Sequence, residues 1–436
     1  MAGAPPSAAH FVRGDASGLQ IPTDAATLAA GGAAFLTEAL HSFGTLARDN
    51  RVTRIGDMQP CIGGSTGSKL FVTLEYARPE PGLDREVFVK FSRDFKDFLR
   101  DRGRHEMESE VRFAELSALT NFPIAIPRPY FADYHADSQS GILVTEVIRF
   151  GTGAIEPQFE KCMDHTITDP LACYRVVLSA LARVAAAHKS GRLGGEVERL
   201  FPFCREAAIA ADRIPWSAAE LAERIARYAD FVEACPRLFP EEVRAPDFWT
   251  RLKAEAPRFL EHQQAIKRFL HKDDDYIALC HWNANIDNGW FWRDGAGALH
   301  CGLMDWGRVR QLNLAFALWG CLNGAPLWVW SDRLDELLDH FVDELQRHGG
   351  PRLDRNRLRL YMDLYVATMG LAFLIEAPMR ILRYLPEAPA MTGPLDPRLL
   401  ACERARNQRH ISSLFLWLWH RHDFSASLDA ILKQNT

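Results

Sequence analysis

Side chains that could hold a metal ion are concentrated in residues 280–311. His281 and Asn288 follow one apolar stretch, and Asp305 follows another. Between them, an Asp- and Gly-rich turn over residues 293–297 separates two strand-like segments, which predicts a β-hairpin. Such a hairpin would bring Asn288 and Asp305 to the same end of its paired strands. Amide and carboxylate oxygens are ligands that Mg²⁺ accepts, so this spacing predicts a magnesium site.

The composition limits the classes of protein that could carry such a site. A length of 436 residues suggests two or three domains, and 47% hydrophobic with 25% charged residues is typical of a soluble globular protein. The net charge is −5 without blocks of like charge, which argues against a nucleic-acid partner. Nine scattered cysteines without a CxxC pair predict reduced thiols in a cytoplasmic protein. The sequence has no run of about 18 apolar residues, so no membrane partner is expected.

The N-terminal third predicts a small β-sheet. Residues 1–30 are Ala-rich and polar, which predicts a flexible N-terminus. Residues 31–148 then alternate between strand-like and turn-like segments, with helical patterns over residues 35–46 and 104–120. The predicted strands cover residues 52–58, 70–76, 86–91, 130–134 and 141–147. This order predicts an antiparallel sheet with one helix across it, which is an α+β arrangement.

A glycine-rich turn and a strand lysine in this region could bind phosphate. The turn contains Gly63, Gly64, Ser65, Thr66, Gly67 and Ser68, and its glycines allow backbone N–H groups to face phosphate oxygens. Its spacing does not match a P-loop, because no glycine directly precedes Lys69 as a GxxxxGK[ST] frame requires. Lys90 lies on a later predicted strand. A lysine that contacts phosphates needs a carboxylate to hold it, and Glu110 on the following helix, with Glu106 as second choice, could supply one.

Residues 149–436 are mainly helical in pattern. Predicted helices cover residues 171–190, 260–270, 314–322, 334–347, 358–375 and 410–420, with further helical patterns within residues 195–262. The polar hairpin of residues 280–311 is inserted in this helical part. The sequence therefore predicts an N-terminal lobe with a small sheet and a larger helical C-terminal lobe.

The order of these features resembles the protein-kinase-like fold, and most closely the aminoglycoside phosphotransferase, choline kinase and ecdysteroid-kinase-like family. Members of that family carry the motif HGDxxxxN, followed by an Asp-Trp or Asp-Phe cluster on the next strand. This chain has His281-Trp282-Asn283 with Asn288 at the matching spacing, followed by Met304-Asp305-Trp306. The resemblance covers residues 35–385. It implies a two-lobe α+β kinase fold that uses ATP and Mg²⁺.

The resemblance also implies a role for each matching residue. Lys90 would contact the α- and β-phosphates of ATP, and Glu110 would pair with Lys90. Asn288 and Asp305 would hold Mg²⁺, and His281 would support the loop from behind. Residues 63–68 would cover the phosphates. Thr145, Glu146 and Val147 would form the hinge, whose backbone meets the adenine. Catalysis in this template is mainly positioning and neutralisation of phosphate charge.

The chain departs from the family motif at the position of the catalytic base. Asn283 replaces the aspartate that accepts the proton of the attacking hydroxyl, and Trp282 replaces the preceding glycine. A neutral amide cannot accept that proton. General-base assistance contributes about 10²–10⁴ in rate, so its loss is serious without abolishing a reaction that depends on positioning. Residues 311–315 also lack the aspartate that often braces the catalytic loop in the family.

Three hypotheses follow for the reaction of a kinase-like protein. A further hypothesis places the protein outside the kinases. A small-molecule kinase could tolerate Asn283, most easily if the acceptor is already an anion. Asp287 could replace the missing base, although its place beside Asn288 favours an orientation away from the site or support of the metal. A pseudokinase would keep nucleotide and metal binding without efficient phosphoryl transfer. Outside kinases, the aromatic-rich helical lobe could bind an apolar ligand.

The acceptor in a kinase of this kind would be selected by the helical lobe, here by residues 195–262 and 314–385. No strong acidic cluster in these segments suggests a polycationic aminoglycoside. The aromatic content favours an apolar, hydroxylated small molecule.

Overall fold

A computed structural model describes residues 10–61, 63–64 and 66–433 of the chain. The chain divides into two compact units. The sheet unit comprises Met1–Glu156, Leu193–Phe201 and Gly302–Arg310, and the helical unit comprises Pro157–Arg192, Pro202–Cys301 and Gln311–Thr436. The sequence placed a boundary after residue 148, whereas this division also assigns two later segments to the sheet unit. The antiparallel sheet and the mainly helical remainder confirm the predicted α+β class.

The sheet unit contains most of the strands. In chain order its first elements are β1 (Phe11–Arg13), β2 (Gln20–Pro22), α1 (Ala25–Phe43), β3 (Val52–Pro60), β4 (Ser68–Tyr76), β5 (Glu86–Phe91), α2 (Phe98–Asp101), α3 (Met107–Leu119), β6 (Pro129–His135) and β7 (Ser140–Glu146). Five strands form one antiparallel sheet in the order β3-β4-β5-β7-β6. Because side chains alternate between the faces of a strand, Leu70, Val72 and Leu74 all enter the core. The five strands that the sequence predicted are therefore confirmed.

Helix α1 covers one face of this sheet. Asp24 caps its N-terminus by accepting a hydrogen bond from the backbone N–H of Thr27, and Gly44 ends it in the left-handed conformation. Its apolar side chains, among them Leu28, Leu36 and Leu40, pack in one core with residues of β4, β5, β6 and β7. The helix begins earlier than the sequence predicted, because the cap at Asp24 is a local signal that the apolar spacing did not include.

The described residues 10–30 differ from the flexible segment that the sequence predicted. They form β1, β2 and the start of α1, and β1 pairs antiparallel with β2. Asp133 on β6 is fully buried and accepts hydrogen bonds from the backbone N–H groups of Ala16 (3.1 Å) and Ser17 (2.9 Å). The composition of residues 1–30 could not show this order, because the anchoring carboxylate lies more than a hundred positions later.

The remaining elements, in chain order, are mostly helices. They are α4 (Pro170–Lys189), α5 (Glu196–Leu200), α6 (Arg205–Ala210), α7 (Ala218–Ala234), α8 (Glu241–Arg244), α9 (Pro246–Glu261), α10 (Gln263–Leu270), β8 (Ile277–His281), β9 (Gly289–Arg293), β10 (Leu299–Leu303), β11 (Val309–Asn313), α11 (Leu314–Leu322), α12 (Leu327–Asp332), α13 (Leu334–Arg347), α14 (Arg355–Phe373), α15 (Ala377–Tyr384), α16 (Pro397–Ala401), α17 (Glu403–Arg421) and α18 (Phe424–Lys433). Helix α5 belongs to the sheet unit. Strand β9 pairs with β10, which confirms the predicted hairpin, and β8 pairs with β11.

Two helical segments of this part are long and apolar enough to cross a membrane by length and composition. They are Pro170–Lys189 and Arg355–Tyr384, and 67% and 78% of their most apolar windows are buried inside the protein. Within the helical unit, α4 packs against α13 and β8, and α14 packs against α11. Both segments therefore serve as core helices of the helical unit.

Candidate functional site

The centre of the candidate site in the sheet unit is the ammonium group of Lys90. This side chain projects from β5, and its Nζ atom contacts Glu110 Oε1 of α3 and lies 3.1 Å from Asp305 Oδ1. Lys90 is 5% exposed and Glu110 is 4% exposed, whereas the Asp305 side chain is 44% exposed. One cation is therefore held between a buried carboxylate and a carboxylate that solvent can reach.

The position of Glu110 follows from the packing of α3. Met107, Val111 and Ala114 on one side of this helix pack against Ala132 and Tyr134 of β6. This contact fixes the helix on the sheet, so a residue in its first turn can reach a central strand. Glu106, the second choice for the partner of Lys90, instead accepts a hydrogen bond from Arg308 Nη2 at 2.8 Å.

Charge keeps Lys90 protonated in this setting. Burial alone would lower the pKa of Lys90, because desolvation disfavours the charged form. The nearby charges of Asp305 and Glu110 outweigh that effect and hold the pKa of Lys90 above its ordinary value. Lys90 is therefore held in its charged form between the two carboxylates.

Asp305 has an unusual backbone for its residue type. Its φ angle is 62°, and non-glycine residues adopt this left-handed region at a cost of about 1–3 kcal/mol. The following Trp306 holds the segment, because its ring stacks on Phe113 at a centroid distance of 3.9 Å and meets the edge of Phe122. The Trp306 Nε1–H group also donates a hydrogen bond to the carbonyl of Leu303 at 2.9 Å. Tertiary packing thus imposes the conformation that places the Asp305 carboxylate beside Lys90.

Trp306→Ala is therefore expected to lower the free energy of unfolding by about 3–5 kcal/mol, the usual range for removing a buried aromatic side chain. Denaturant unfolding measures this change. Trp328, which is 42% exposed, provides the control, and its alanine variant should change the same quantity by less than about 1 kcal/mol. Equal effects of the two substitutions would show that Trp306 does not anchor the Asp305 segment.

The glycine-rich turn connects β3 to β4. Gly63, Gly64 and Gly67 all have positive φ angles, 117°, 73° and 57°, which residues with a Cβ rarely adopt. Arg100 Nη2 donates a hydrogen bond to the carbonyl of Gly63 at 2.8 Å. Ser65, which the resemblance includes in the phosphate cover, lies outside the described residues.

The other predicted residues of the phosphate cover and the hinge lie at both ends of this sheet. Thr66 contacts Gly103 closely, since a Cβ on Gly103 would come within 2.4 Å of Thr66 Cγ2. The Ser68 hydroxyl donates to the Arg93 carbonyl at 3.0 Å. Thr145 and Glu146 end β7, where the Glu146 carboxylate accepts from the backbone N–H of Arg128, and Val147 follows directly.

Hydrogen bonds within the helical unit shape the loop that carries the altered motif. His281 is completely buried, and its Nδ1 accepts from the backbone N–H of Asn283 at 3.2 Å. Asn288 Nδ2 donates to the carbonyl of Asn283 at 2.8 Å, which closes the loop on itself. Asn285 donates to the carbonyl of Gly320 on α11 at 2.6 Å. The loop is therefore built around amides, and none of the described residues hydrogen-bonds to the side-chain amide of Asn283.

Asp287 is the carboxylate of this loop, and it is paired. Its Oδ2 atom lies 3.2 Å from Lys161 Nζ, and its side chain is 13% exposed. Burial raises the pKa of Asp287, while the charge of Lys161 opposes that effect. Asp287 therefore contacts a cation at the position where the sequence allowed a substitute base. Near the end of β11, Asn313 caps α11 by accepting a hydrogen bond from the backbone N–H of Ala315.

Two lysines in these regions had no role in the sequence-based prediction. Lys161 precedes Asp287 by 126 positions, so local spacing offered no signal for their pairing. Lys69 lies directly opposite Lys90 in the β4–β5 register. The sequence predicted both strands in consecutive order. Pairing them antiparallel in the observed register would have placed Lys69 opposite Lys90.

The predicted magnesium ligands lie in different units of the chain. Asp305 belongs to the sheet unit and Asn288 to the helical unit. Among the described residues, no group of three or more His, Cys, Asp or Glu side chains is placed to hold a metal ion. A carboxylate and an amide oxygen are hard donors that suit Mg²⁺, so the prediction of a shared ion stays a prediction that fits their chemistry.

Comparison with known proteins finds similarity only at the level of solved structures. No family model matches the chain, and no curated protein matches it. An ethanolamine kinase from Plasmodium vivax is 13% identical over 85% of this chain and 83% of its own, with a TM-score of 0.39. A choline/ethanolamine kinase family protein from Mesorhizobium loti is 13% identical over 86% and 92%, with a TM-score of 0.40. A microcompartment-associated aminopropanol kinase is 13% identical over 85% and 94%, also with a TM-score of 0.40. Small-molecule kinases are thus among the solved structures to which the chain is similar, at low sequence identity and low TM-score.

Proposed function

We propose that the protein is an ATP-dependent phosphotransferase that acts on a small-molecule acceptor. The observation that carries this proposal is the position of Lys90, whose ammonium lies between the buried Glu110 and the half-exposed Asp305. A cation held in this way is ready to contact the phosphates of a nucleotide. Phosphoryl transfer depends mainly on positioning and on the stabilisation of phosphate charge, which such a group supplies.

Each residue of the site has a distinct part in this proposal. Lys90 contacts the α- and β-phosphates, and Glu110 keeps its side chain in place. Asp305, together with Asn288, would hold Mg²⁺, which neutralises phosphate charge when it is bound. The backbone after Thr145 would meet the adenine, and the glycine-rich turn would cover the phosphates. We also propose a cytoplasmic location, for which the scattered cysteines of the sequence are the support.

The acceptor is restricted by the chemistry of Asn283. An amide cannot take a proton from an attacking hydroxyl, so an anionic acceptor, which has no proton to lose, is compatible with the site. A neutral hydroxylated acceptor would react without base assistance, which lowers the rate by about 10²–10⁴. The pairing with Lys161 makes Asp287 a support of the loop in this proposal.

A pseudokinase is the second candidate function. Its support is that the loop offers Asn283 at the position of the base, while its carboxylate, Asp287, is held by Lys161. In this case the site binds a nucleotide and transfers no phosphoryl group efficiently. The Lys90 cluster would then serve nucleotide recognition alone.

Asn283→Asp separates the two candidates. The measurements are ATP binding with and without Mg²⁺ by thermal shift, and ADP release with a panel of anionic and hydroxylated small molecules. If the protein is an enzyme, we expect turnover in the wild type. With hydroxylated acceptors, the turnover rate of the variant should be higher by about 10²-fold or more. Turnover that appears only in Asn283→Asp would favour the pseudokinase.

Two further variants test the role of the site itself. Turnover that is present in the wild type and lost in Asp287→Ala, with ATP binding unchanged, would identify Asp287 as the base instead of a support. Lys90→Ala and Asp305→Ala are both expected to weaken ATP binding. If neither does, the kinase proposal is wrong, and a helical module that binds an apolar ligand becomes the better explanation.

A further inference from the structure

A second lysine shares the face of the sheet that carries Lys90. Strands β4 and β5 pair antiparallel, with Lys69 directly opposite Lys90. Directly opposed residues in such a pair project from the same face, about 5 Å apart at Cβ. Like charges in this position repel each other. Two lysines therefore lie side by side, and the charges of Glu110 and Asp305 act on both of them.

The two carboxylates both contact Lys90, not Lys69. Lys90 contacts Glu110 and Asp305, whereas Lys69 has no hydrogen-bond or ion-pair partner among the described residues. Lys69 is nevertheless partly buried. Burial lowers the pKa of Lys69, and the positive charge of Lys90 lowers it further. The charges of Asp305 and Glu110 oppose this lowering of the pKa, although neither carboxylate forms an ion pair with Lys69.

The glycine-rich turn makes room for this cation. A Cβ on Gly64 would come within 1.9 Å of Lys69 Nζ, so the ammonium lies directly against the Gly64 backbone. Gly64 has a φ angle of 73°, which a side chain would also disfavour. The turn that is proposed to cover the phosphates therefore has the ammonium of Lys69 packed beneath it.

We propose that Lys69 is a second phosphate-binding cation, which binds the polyphosphate of the nucleotide beneath the glycine-rich turn. This inference rests on the proposed nucleotide site and adds to it a residue outside the family motif. A polyphosphate carries several negative charges on neighbouring groups, so it can contact two adjacent ammonium groups at once. A lysine is a suitable partner, since its ammonium acts as a compact charge with three donors.

Lys69→Gln tests this inference by the dependence of binding on phosphate. Calorimetry with ATP, inorganic tripolyphosphate and adenosine is the measurement. We expect the variant to bind ATP and tripolyphosphate about tenfold more weakly, as for loss of one charge-assisted hydrogen bond, and to bind adenosine as the wild type does. Lys96→Gln, which removes an exposed lysine, is the matched control and should leave all three affinities unchanged.

The outcomes distinguish a failure of this inference from a failure of the proposed function. If Lys90→Gln weakens ATP binding and Lys69→Gln does not, Lys69 has no role in binding, although the nucleotide site stands. Tripolyphosphate binding that depends on Lys69 in a protein that does not bind ATP would support the anion site and overturn the nucleotide proposal. An equal loss of adenosine binding in Lys69→Gln would indicate a structural effect and would overturn the inference.

A labelling experiment provides a second readout on the unaltered protein. In an acyl-phosphate derivative of ATP, a neutral lysine amine attacks the acyl carbonyl, forms an amide, loses a proton and releases ATP. Peptide mapping is expected to find the label on Lys69, because burial and the charge of Lys90 lower the pKa of its amine, whereas the pKa of Lys90 is raised. Excess ATP should prevent the labelling. A label on Lys90 without Lys69 would contradict the inference.

Discussion

Lys90→Met is expected to lower the free energy of unfolding by about 3–5 kcal/mol and to abolish nucleotide binding. The physical reason is that Glu110, which is 4% exposed, would remain as a buried charge without its partner. Removal of one member of a buried ion pair is costly for this reason. Denaturant unfolding at neutral pH measures the loss of stability, and calorimetry with ATP measures the loss of binding.

The double variant Lys90→Met/Glu110→Leu separates stability from function. An apolar pair of similar volume can replace a buried ion pair without a net loss, so the double variant should recover most of the stability. It should still fail to bind ATP, because the phosphate-binding cation is absent. A double variant as unstable as Lys90→Met would contradict the view that the unpaired carboxylate causes the loss.

The pH dependence of Lys90→Met provides an independent check on the same cause. Burial raises the pKa of Glu110, and the charge of Lys90 opposes this effect in the wild type. Without Lys90 the folded state favours protonated Glu110 more strongly, whereas the unfolded state keeps the ordinary carboxyl pKa. The folded state then binds more protons, so the loss of stability should become smaller as pH falls from about 8 to about 5. Arg227→Met breaks an exposed pair with Glu223 on α7 and should change stability by less than about 1 kcal/mol.

Gly320→Ala is expected to lower the free energy of unfolding by about 3 kcal/mol or more, although alanine normally stabilises a helix relative to glycine. A Cβ on Gly320 would lie 1.6 Å from the carbonyl oxygen of Trp282. Neither side can easily move, since every residue of α11 is buried and the contacted atom belongs to the backbone. The substitution would also displace the Asn285 side chain from its hydrogen bond to the Gly320 carbonyl. Any turnover that depends on this loop should be lost with the stability.

Gly295→Ala is the matched control for this prediction. Gly295 lies in the turn between β9 and β10, and a Cβ there would meet no atom within 4 Å. Thermal and denaturant unfolding of the two variants should therefore differ clearly. Equal stability of Gly320→Ala and Gly295→Ala would contradict a close contact between α11 and the backbone of the altered motif.

The elements with strong local patterns were predictable from the sequence. The strand Glu86–Phe91 and the helix Leu334–Arg347 have the bounds that the apolar spacing predicted. The β9–β10 hairpin was also predictable, because an Asp- and Gly-rich turn between two strand-like segments is a local signal. By contrast, the short strands β1 and β2 were not predicted, since their order depends on Asp133 on β6.

The sequence by itself determined the residue types of the candidate site: a strand lysine, helix glutamates, an Asp-Trp-Gly turn and an asparagine where a base is expected. The tertiary structure decided how they pair. Glu110 pairs with Lys90, Glu106 with Arg308, and Asp287 with Lys161. Lys69 lies beside Lys90, and among the described residues no carboxylate forms an ion pair with it. The reason is physical: spacing along the chain sets which face of an element a residue occupies, whereas strand register and helix packing set which charges meet across it.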